Sequence, residues 1–381
     1  MLTKKINEMN IGYDAKRLFF NFTGLGNYSR TLVHQMSTSY PDVEYHLYSP
    51  KVPPDSILQQ YDAEHWHIHS NRTALAAYWR SYGIRKDIAE HNLDIYHGLS
   101  NEIPYGMTSQ RPATVVTIHD LIYSKLPHTF PWFDRQVYHA KTSHACRHAD
   151  HIIAISNSTK QDIVSAFGIE PSKISTIYQS CLPIYYAPAT PAERTAVSNK
   201  YNLPSNYLLH VGTVEPRKNL VQILKALATI KPSHRPPLVV VGRGKSHLQK
   251  MKQTAAKMQL QHVYWLEGVS SNIELRALYA MADLFVYTSL YEGFGLPIVE
   301  AQLQGTAVVT SDVSSMPEAA GPHSYTVSPL NVEALANIIG ELLSDDDRRG
   351  ANAKLSEQYA HTTFSPSKST RQVMACYKQL V

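Results

Sequence analysis

Cysteine is scarce in this chain. Cys146, Cys181 and Cys376 are odd in number and far apart, which excludes a disulfide framework, offers no zinc-type spacing and suggests a reducing compartment. Long hydrophobic runs are missing too: none approaches the roughly 20 residues that cross a bilayer. The opening residues, Met1-Leu2-Thr3-Lys4-Lys5-Ile6-Asn7, lack the apolar core of a signal peptide. A cytoplasmic protein without a transmembrane segment is therefore expected. No basic tail or block is present. The net charge of +5 divides into 17 Lys+Arg against 16 Asp+Glu over residues 1–187, and 19 against 15 over residues 188–381. So mild an excess argues against a nucleic-acid partner. Histidine, by contrast, is plentiful, with 13 of 19 in the first half. That half is expected to gain positive charge as pH falls towards about 6.5. Peripheral contact with anionic lipid at the inner membrane surface is one consequence; surface histidines without function are the blander one.

With 381 residues, 43% hydrophobic and 18% charged, the chain has the length of two ordinary globular domains. Its pattern is α/β. Strands are expected at 10–14, 44–48, 94–97, 113–118, 151–155 and 174–177, and helices at 27–36, 74–90, 132–148 and 158–167. Such alternation means a parallel sheet covered on both faces, a Rossmann-like domain. The proline-marked segment 182–191 reads as a linker. Alternation then resumes, with strands at 207–211, 238–241, 262–265, 284–287 and 307–310. Two Rossmann-like domains, 1–187 and 188–366, are expected to face a cleft at the carboxyl ends of their strands, where ligands bind.

One stretch organises the rest: Tyr291-Glu292-Gly293-Phe294-Gly295-Leu296-Pro297-Ile298-Val299-Glu300-Ala301. It follows a buried strand and opens a helix, so the order is strand, glycine loop, helix. Gly293 and Gly295 suit a sharp turn and close approach to a ligand, and Pro297 suits the first helical position. The N–H groups of Gly293 to Leu296 should then face an anion such as phosphate. Glu292 and Glu300, with seven residues between them, read as acceptors for hydroxyl groups. A ligand bearing both phosphates and hydroxyls satisfies the whole stretch; a plain strand-to-helix turn with solvated glutamates is the structural alternative.

Three further segments carry chemistry. In Val211-Gly212-Thr213-Val214-Glu215-Pro216-Arg217-Lys218-Asn219-Leu220 a strand ends and two cations open a helix; together they can neutralise a departing diphosphate. Val116-Thr117-Ile118-His119-Asp120-Leu121 puts His119 at a strand end, as a ligand contact or as a structural histidine with Asp120 capping a helix. Thr23-Gly24-Leu25-Gly26-Asn27-Tyr28 is a second glycine loop before a helix. Asp345-Asp346-Asp347 reads as a solvated helix start and not as a metal motif.

The stretch from Tyr291 resembles the Glu-x7-Glu signature of the family 4 retaining glycosyltransferases, which transfer a sugar from a nucleotide-sugar donor. The segment around Lys218 resembles that family's phosphate-binding segment, whose lysine it matches. The position after the glycine, where the family often has Arg, holds Thr213, and Arg217 is the candidate replacement for that charge. His119 resembles the family's histidine that contacts the donor sugar, and Gly24 and Gly26 belong to a segment like its first-domain glycine loop. The resemblance implies a GT-B fold, a final helix (367–381) packed back on the first domain, and metal-independent transfer with retention and no cofactor. His119, Glu292, Arg217 and Lys218 become the candidate catalytic residues. Gly24, Gly26, Thr213, Arg217, Lys218, Gly293, Phe294, Gly295, Leu296 and Glu300 become the candidate donor-binding residues.

The segment at 212–219 looks most like bacterial mannosyltransferases of cell-surface polysaccharides. GDP-mannose is therefore the first expected donor and a UDP-linked hexose the second, with a saccharide or lipid-linked oligosaccharide as acceptor. A sugar-nucleotide-binding partner without transfer activity, an epimerase and a phosphorylase share the two-domain plan and stay open. Hydrolysis by a glutamate pair fits the neighbouring cations less well.

Overall fold

The computed structural model describes residues 9–381 apart from 62, 72–74, 108–111 and 270. The N-terminal residues 1–7 and the expected helix start at Ala74 lie outside the described residues. Two compact units emerge, 1–180 with 365–381, and 181–364. Each is a parallel sheet with helical crossovers, as short apolar runs separated by amphipathic segments dictate.

The first sheet has β1 (Asn10–Asp14), β2 (Glu44–Ser49), β3 (Trp66–Ser70), β4 (Ile95–Gly98), β5 (Ala113–Ile118), β6 (His151–Ala154) and β7 (Ile174–Thr176) in the order β3-β2-β1-β4-β5-β6-β7. All neighbours are parallel. Strand order reverses between β1 and β4, so their carboxyl ends mark a natural ligand crevice. The edge strand β3 escapes the sequence pattern, because Trp-His-Ile-His-Ser is half-buried throughout and alternates no clear apolar face. The helix expected from 74 to 90 is interrupted by a π-helical turn, Trp79–Gly83, before Ile84–Glu90.

The last helix, Pro366–Lys378, joins this unit. Val373, Met374, Cys376 and Tyr377 pack into the same core as β1, β2 and the helix Gly24–Ser39. Its Tyr377 hydroxyl lies 2.6 Å from His97 Nδ1, while His97 Nε2 lies 2.8 Å from the Thr117 hydroxyl. This polar chain is fully buried and satisfied, as a buried network must be to stabilise.

The second sheet has β8 (Leu208–Val211), β9 (Leu238–Val241), β10 (Val263–Leu266), β11 (Leu284–Tyr287), β12 (Ala307–Ser311) and β13 (Tyr325–Val327) in the order β10-β9-β8-β11-β12-β13. These too pair in parallel. Their order reverses between β8 and β11. β13 has only three residues, too few for a period to show.

The segment expected to be a free linker is partly fastened to the second unit. Gln304 Nε2 donates to the Tyr185 carbonyl (2.7 Å), Ala189 N–H donates to Gln304 Oε1 (3.1 Å), and Arg276 Nη1 donates to the Ile184 carbonyl (3.0 Å). The second compact unit accordingly takes in this segment from Cys181 onward. Asp345 caps the helix Asp346–Thr363, its carboxylate accepting from Arg348 N–H at 2.9 Å, so this acidic run is a helix start.

Candidate active site

At the reversal of the second sheet, β8 leads into a 3-10 turn, Pro216–Lys218, and only then into the helix Leu220–Thr229. The two cations thus sit on the turn and do not open the helix. Asn219 forces this: it is left-handed (φ 56), and its side-chain amide donates to the carbonyls of Thr288 (3.1 Å) and Pro329 (2.7 Å). Thr288 Oγ1 returns a bond to the Asn219 carbonyl. The turn is thereby fastened to the end of β11.

Glu292 lies where these two ends meet and is 8% exposed. Four donors converge on one of its oxygens, Oε1: Lys218 Nζ and Arg217 Nη1 at 2.6 Å each, Ser289 Oγ at 2.6 Å and the Tyr287 hydroxyl at 3.1 Å. Among the described residues no donor is seen at Oε2. Burial alone would raise this carboxyl, but the Lys218 and Arg217 charges, with the Lys218 and Ser289 bonds, hold it down to about 2. Glu292 is therefore an anion with one acceptor oxygen to spare. Burial lowers Lys218, and Glu292 opposes this only in part.

Arg217 is more committed than the sequence suggests. Its guanidinium also donates to the Tyr291 carbonyl (2.8 Å) and to Glu215 Oε1 (2.6 Å). Burial works against its charge, and Glu292 with Glu215 more than offsets that. Lys218 is the more compact charge, whereas Arg217 also ties the Glu292 loop to the turn. Thr213, exposed just past β8, carries no charge to this cluster.

The glycine loop behaves differently at its two glycines. Gly295 takes φ 111, where a Cβ would also meet Ile298 Cδ1 at 3.1 Å, so glycine is required there. Gly293 is not among the positive-φ residues. Phe294 is a core residue: its ring packs edge-on to Phe364 with centroids 5.4 Å apart. The helix runs Leu296–Leu303, with Pro297 in its second position. Its partly buried Glu300 accepts from the Tyr279 hydroxyl at 2.9 Å. Burial pushes its carboxyl up to about 7, the Tyr279 bond resisting.

In the first unit, the Gly24-Leu25-Gly26 segment is the first turn of the helix Gly24–Ser39 and not a separate loop. A Cβ on Gly26 would lie 1.6 Å from the Asn21 carbonyl oxygen, whereas one on Gly24 would meet nothing within 4 Å. Gly26 is thus needed for packing, and Gly24 stands in open space. Tyr28 on this helix meets His119 edge-on at 4.7 Å. His119 is buried, and its Nε2 lies 2.9 Å from the Leu99 carbonyl. A ring nitrogen facing a carbonyl must carry the proton, which makes Nδ1 an acceptor. Burial, opposed by the Leu99 bond, lowers this imidazole to about 4. His97 falls to about 3 through burial and the His119 charge. These two buried histidines stay neutral near pH 6.5 and do not contribute to the positive charge expected of the histidine-rich half. Asp120 accepts from Ile122 N–H at 3.0 Å, but it is not the expected helix cap: the short helix Ile122–Lys125 has Leu121 at that position and no side-chain cap.

The structure thus brings Arg217, Lys218 and Glu292 together in one unit, and Gly24, Gly26 and His119 onto neighbouring elements of the other. Sequence reasoning missed Tyr287, Ser289 and Asn219. The first two adjoin the strand end before Glu292, so their hydroxyls were a legible signal; the Asn219 contact across 110 residues to Pro329 was not. Among the described residues no helix is long and apolar enough to cross a membrane.

Family models place "Glycosyltransferase Family 4" on residues 22–180 and "Glycosyl transferases group 1" on residues 193–378. The O-antigen chain mannosyltransferase B of Escherichia coli is 30% identical over 390 aligned residues, spanning 98% of this chain and all of that protein. Among solved structures, the HepE protein of Anabaena in complex with UDP matches with a TM-score of 0.73 at 18% identity, over 97% of this chain and all of that one. The sucrose-phosphate synthase of Thermosynechococcus elongatus matches with a TM-score of 0.76 at 17% identity, over 98% and 99%.

Proposed function

Because the chain belongs to the group 1 glycosyl transferases and has the GT-B fold, we propose that this glycosyltransferase moves mannose from GDP-mannose to a saccharide or lipid-linked oligosaccharide, with retention. The observation that carries this reading is Glu292, whose Oε1 is saturated by Lys218, Arg217, Ser289 and Tyr287 while Oε2 is left for a ligand hydroxyl. Mannose as the sugar rests on the O-antigen mannosyltransferase relative.

In this reading the chemical difficulty is negative charge growing on the departing GDP. Lys218, with Arg217 behind it, meets that charge from fixed positions, which is where electrostatic catalysis is most effective. The helix Leu296–Leu303 starts within the same motif, and a helix N-terminus favours a phosphate. Glu292 Oε2 takes a sugar hydroxyl and Glu300 accepts from the ribose, while His119, on the first unit, keeps the donor-contacting role that its family resemblance implies. The acceptor hydroxyl forms the new glycosidic bond as the sugar–phosphate bond breaks, and its proton leaves with the diphosphate. Positive side chains do the work that a metal ion does elsewhere, so transfer is expected to survive EDTA.

The test is an acceptor assay with GDP-mannose, UDP-glucose and UDP-galactose, the product anomer being read by NMR. An α-linked mannoside formed from GDP-mannose alone supports the reading. A product from a UDP-hexose would favour the alternative donor class, for which the likeness to a UDP-complexed structure speaks. Nucleotide binding without any product would point to a non-transferring partner. Peripheral contact with the inner membrane surface belongs to the same proposal and is tested by sedimentation with anionic vesicles.

A further inference from the structure

Away from every residue named in transfer, three histidines of the first unit converge. His46 lies on β2, His69 on β3, and His91 follows the helix Ile84–Glu90. One ring nitrogen from each lies within 4.8 Å of the other two. His46 Nδ1 and His69 Nε2 are 3.0 Å apart, close to the roughly 3.3 Å that separates nitrogens around tetrahedral zinc with bonds of about 2.0–2.1 Å. The His69 and His91 rings lie with centroids 4.0 Å apart. The third nitrogen needs only a small side-chain adjustment to close the set.

The surroundings suit a cation. The Tyr48 hydroxyl is 2.8 Å from His91 Nδ1 and so orients that ring, as outer groups do around metal-bound imidazoles. His69 and His91 border a cavity of about 590 Å³ that Asp87 and Glu90 also line. It provides an entry path, negative charge and room for a fourth ligand.

We propose that His46, His69 and His91 form a site for one divalent transition-metal ion of the imidazole-preferring class, zinc being the reference ion. Three nitrogen ligands favour zinc, nickel, cobalt or copper over magnesium and calcium. The ion would pin the edge strand β3 to β2 and to the segment entering β4, a structural role. The site shares no residue with the transfer machinery, so the expectation of metal-independent transfer is unaffected. It was invisible as a motif because the ligands are separated by 23 and 22 residues; in the parallel register of β2 and β3, His46 pairs with His67 and meets His69 on the diagonal, and His91 joins them from the end of the helix Ile84–Glu90.

The test uses the full chain without a polyhistidine tag, stripped with EDTA and dialysed, and titrated with zinc chloride and separately with magnesium chloride. One zinc equivalent should bind and raise the unfolding temperature, with no magnesium response. His69→Gln and His91→Gln should each weaken zinc by about tenfold or more, since tenfold is only about 1.4 kcal/mol of lost ligation. His148→Gln, which removes the partner of a stacked surface pair with His144, should change nothing. Circular dichroism and transfer activity report folding; if His69→Gln fails to fold, His91→Gln decides. No saturable zinc binding, binding unchanged in both His69→Gln and His91→Gln, or loss in His148→Gln would each overturn the proposal.

Discussion

Each sheet reverses its strand order once, and a buried carboxylate stands at each reversal, but the two carboxylates are satisfied differently. Beside β1 and β4, Asp14 uses both oxygens: Oδ1 accepts from Lys16 N–H (3.2 Å) and Arg80 Nε (3.3 Å), and Oδ2 from Arg80 Nε (3.1 Å) and Nη2. Arg80 continues to Glu102 (2.6 Å), which Lys141 also contacts at 3.1 Å. Beside β8 and β11, Glu292 gathers its donors on one oxygen. Buried charge is common to both places; spare hydrogen-bonding capacity is found at only one of these carboxylates. The first cluster reads as a clamp, the second as a clamp that also presents an acceptor to a ligand.

The comparison is broken most directly by substituting at each cluster in turn. Asp14→Ala should cost about 3–5 kcal/mol of stability, because it leaves Arg80 buried without its main partner, while turnover per folded molecule changes little. Chemical denaturation paired with an activity assay checks this, and a stable but inactive variant would make Asp14 a ligand group. Lys218→Ala should do the reverse, lowering kcat by about 10²–10³ through lost stabilisation of the leaving group. Stopped-time assays with saturating donor measure it, and unchanged turnover would remove Lys218 from the site.

Glu300 sharpens the contrast through pH. Burial pushes its carboxyl up to about 7, and the form proposed to accept from the ribose is the ionised one. Binding is therefore fully supported above pH 7 and weakens as pH falls below it, by up to about tenfold per unit. Calorimetric titration of GDP at pH 6, 7 and 8 should show this slope, and Glu300→Gln should flatten it after the phosphate's own titration is subtracted. A slope that persists in the variant would assign the pH dependence elsewhere. Glu292, held down to about 2, contributes no slope in this range. The smallest effect is expected at Tyr377→Phe, which removes one hydrogen bond to His97 and should cost about 1 kcal/mol in denaturation of the first unit.

The same contrast explains what the sequence made legible. Glu292, Lys218 and Arg217 lie at strand ends in short segments with glycine and proline, where local chemistry announces a turn. Strands β8, β9 and β11, four-residue runs of apolar and β-forming residues, were read from their composition. Arg80 could not be paired with Asp14, because 66 residues and a π-helical turn separate them and neither sits in a recognisable pattern. The half-buried β3 and the three-residue β13 lack the periodicity that betrays a strand. Phe294 lies inside the motif, yet its ring belongs to the core with Phe364, because a loop that must hold its shape needs an apolar anchor. Gly24 and Gly26 were seen as one loop, although only Gly26 is demanded by close backbone approach.

One thermal-shift titration tests the central claim, that the Lys218–Glu292 cluster receives the diphosphate and sugar of a GDP-linked donor. GDP at about a hundred times its dissociation constant should stabilise the protein by about 2.7 kcal/mol, more than UDP at the same concentration, and Lys218→Ala should lose most of that shift. A full GDP shift in the variant, or no response of the wild-type protein to any nucleoside diphosphate, would contradict the account.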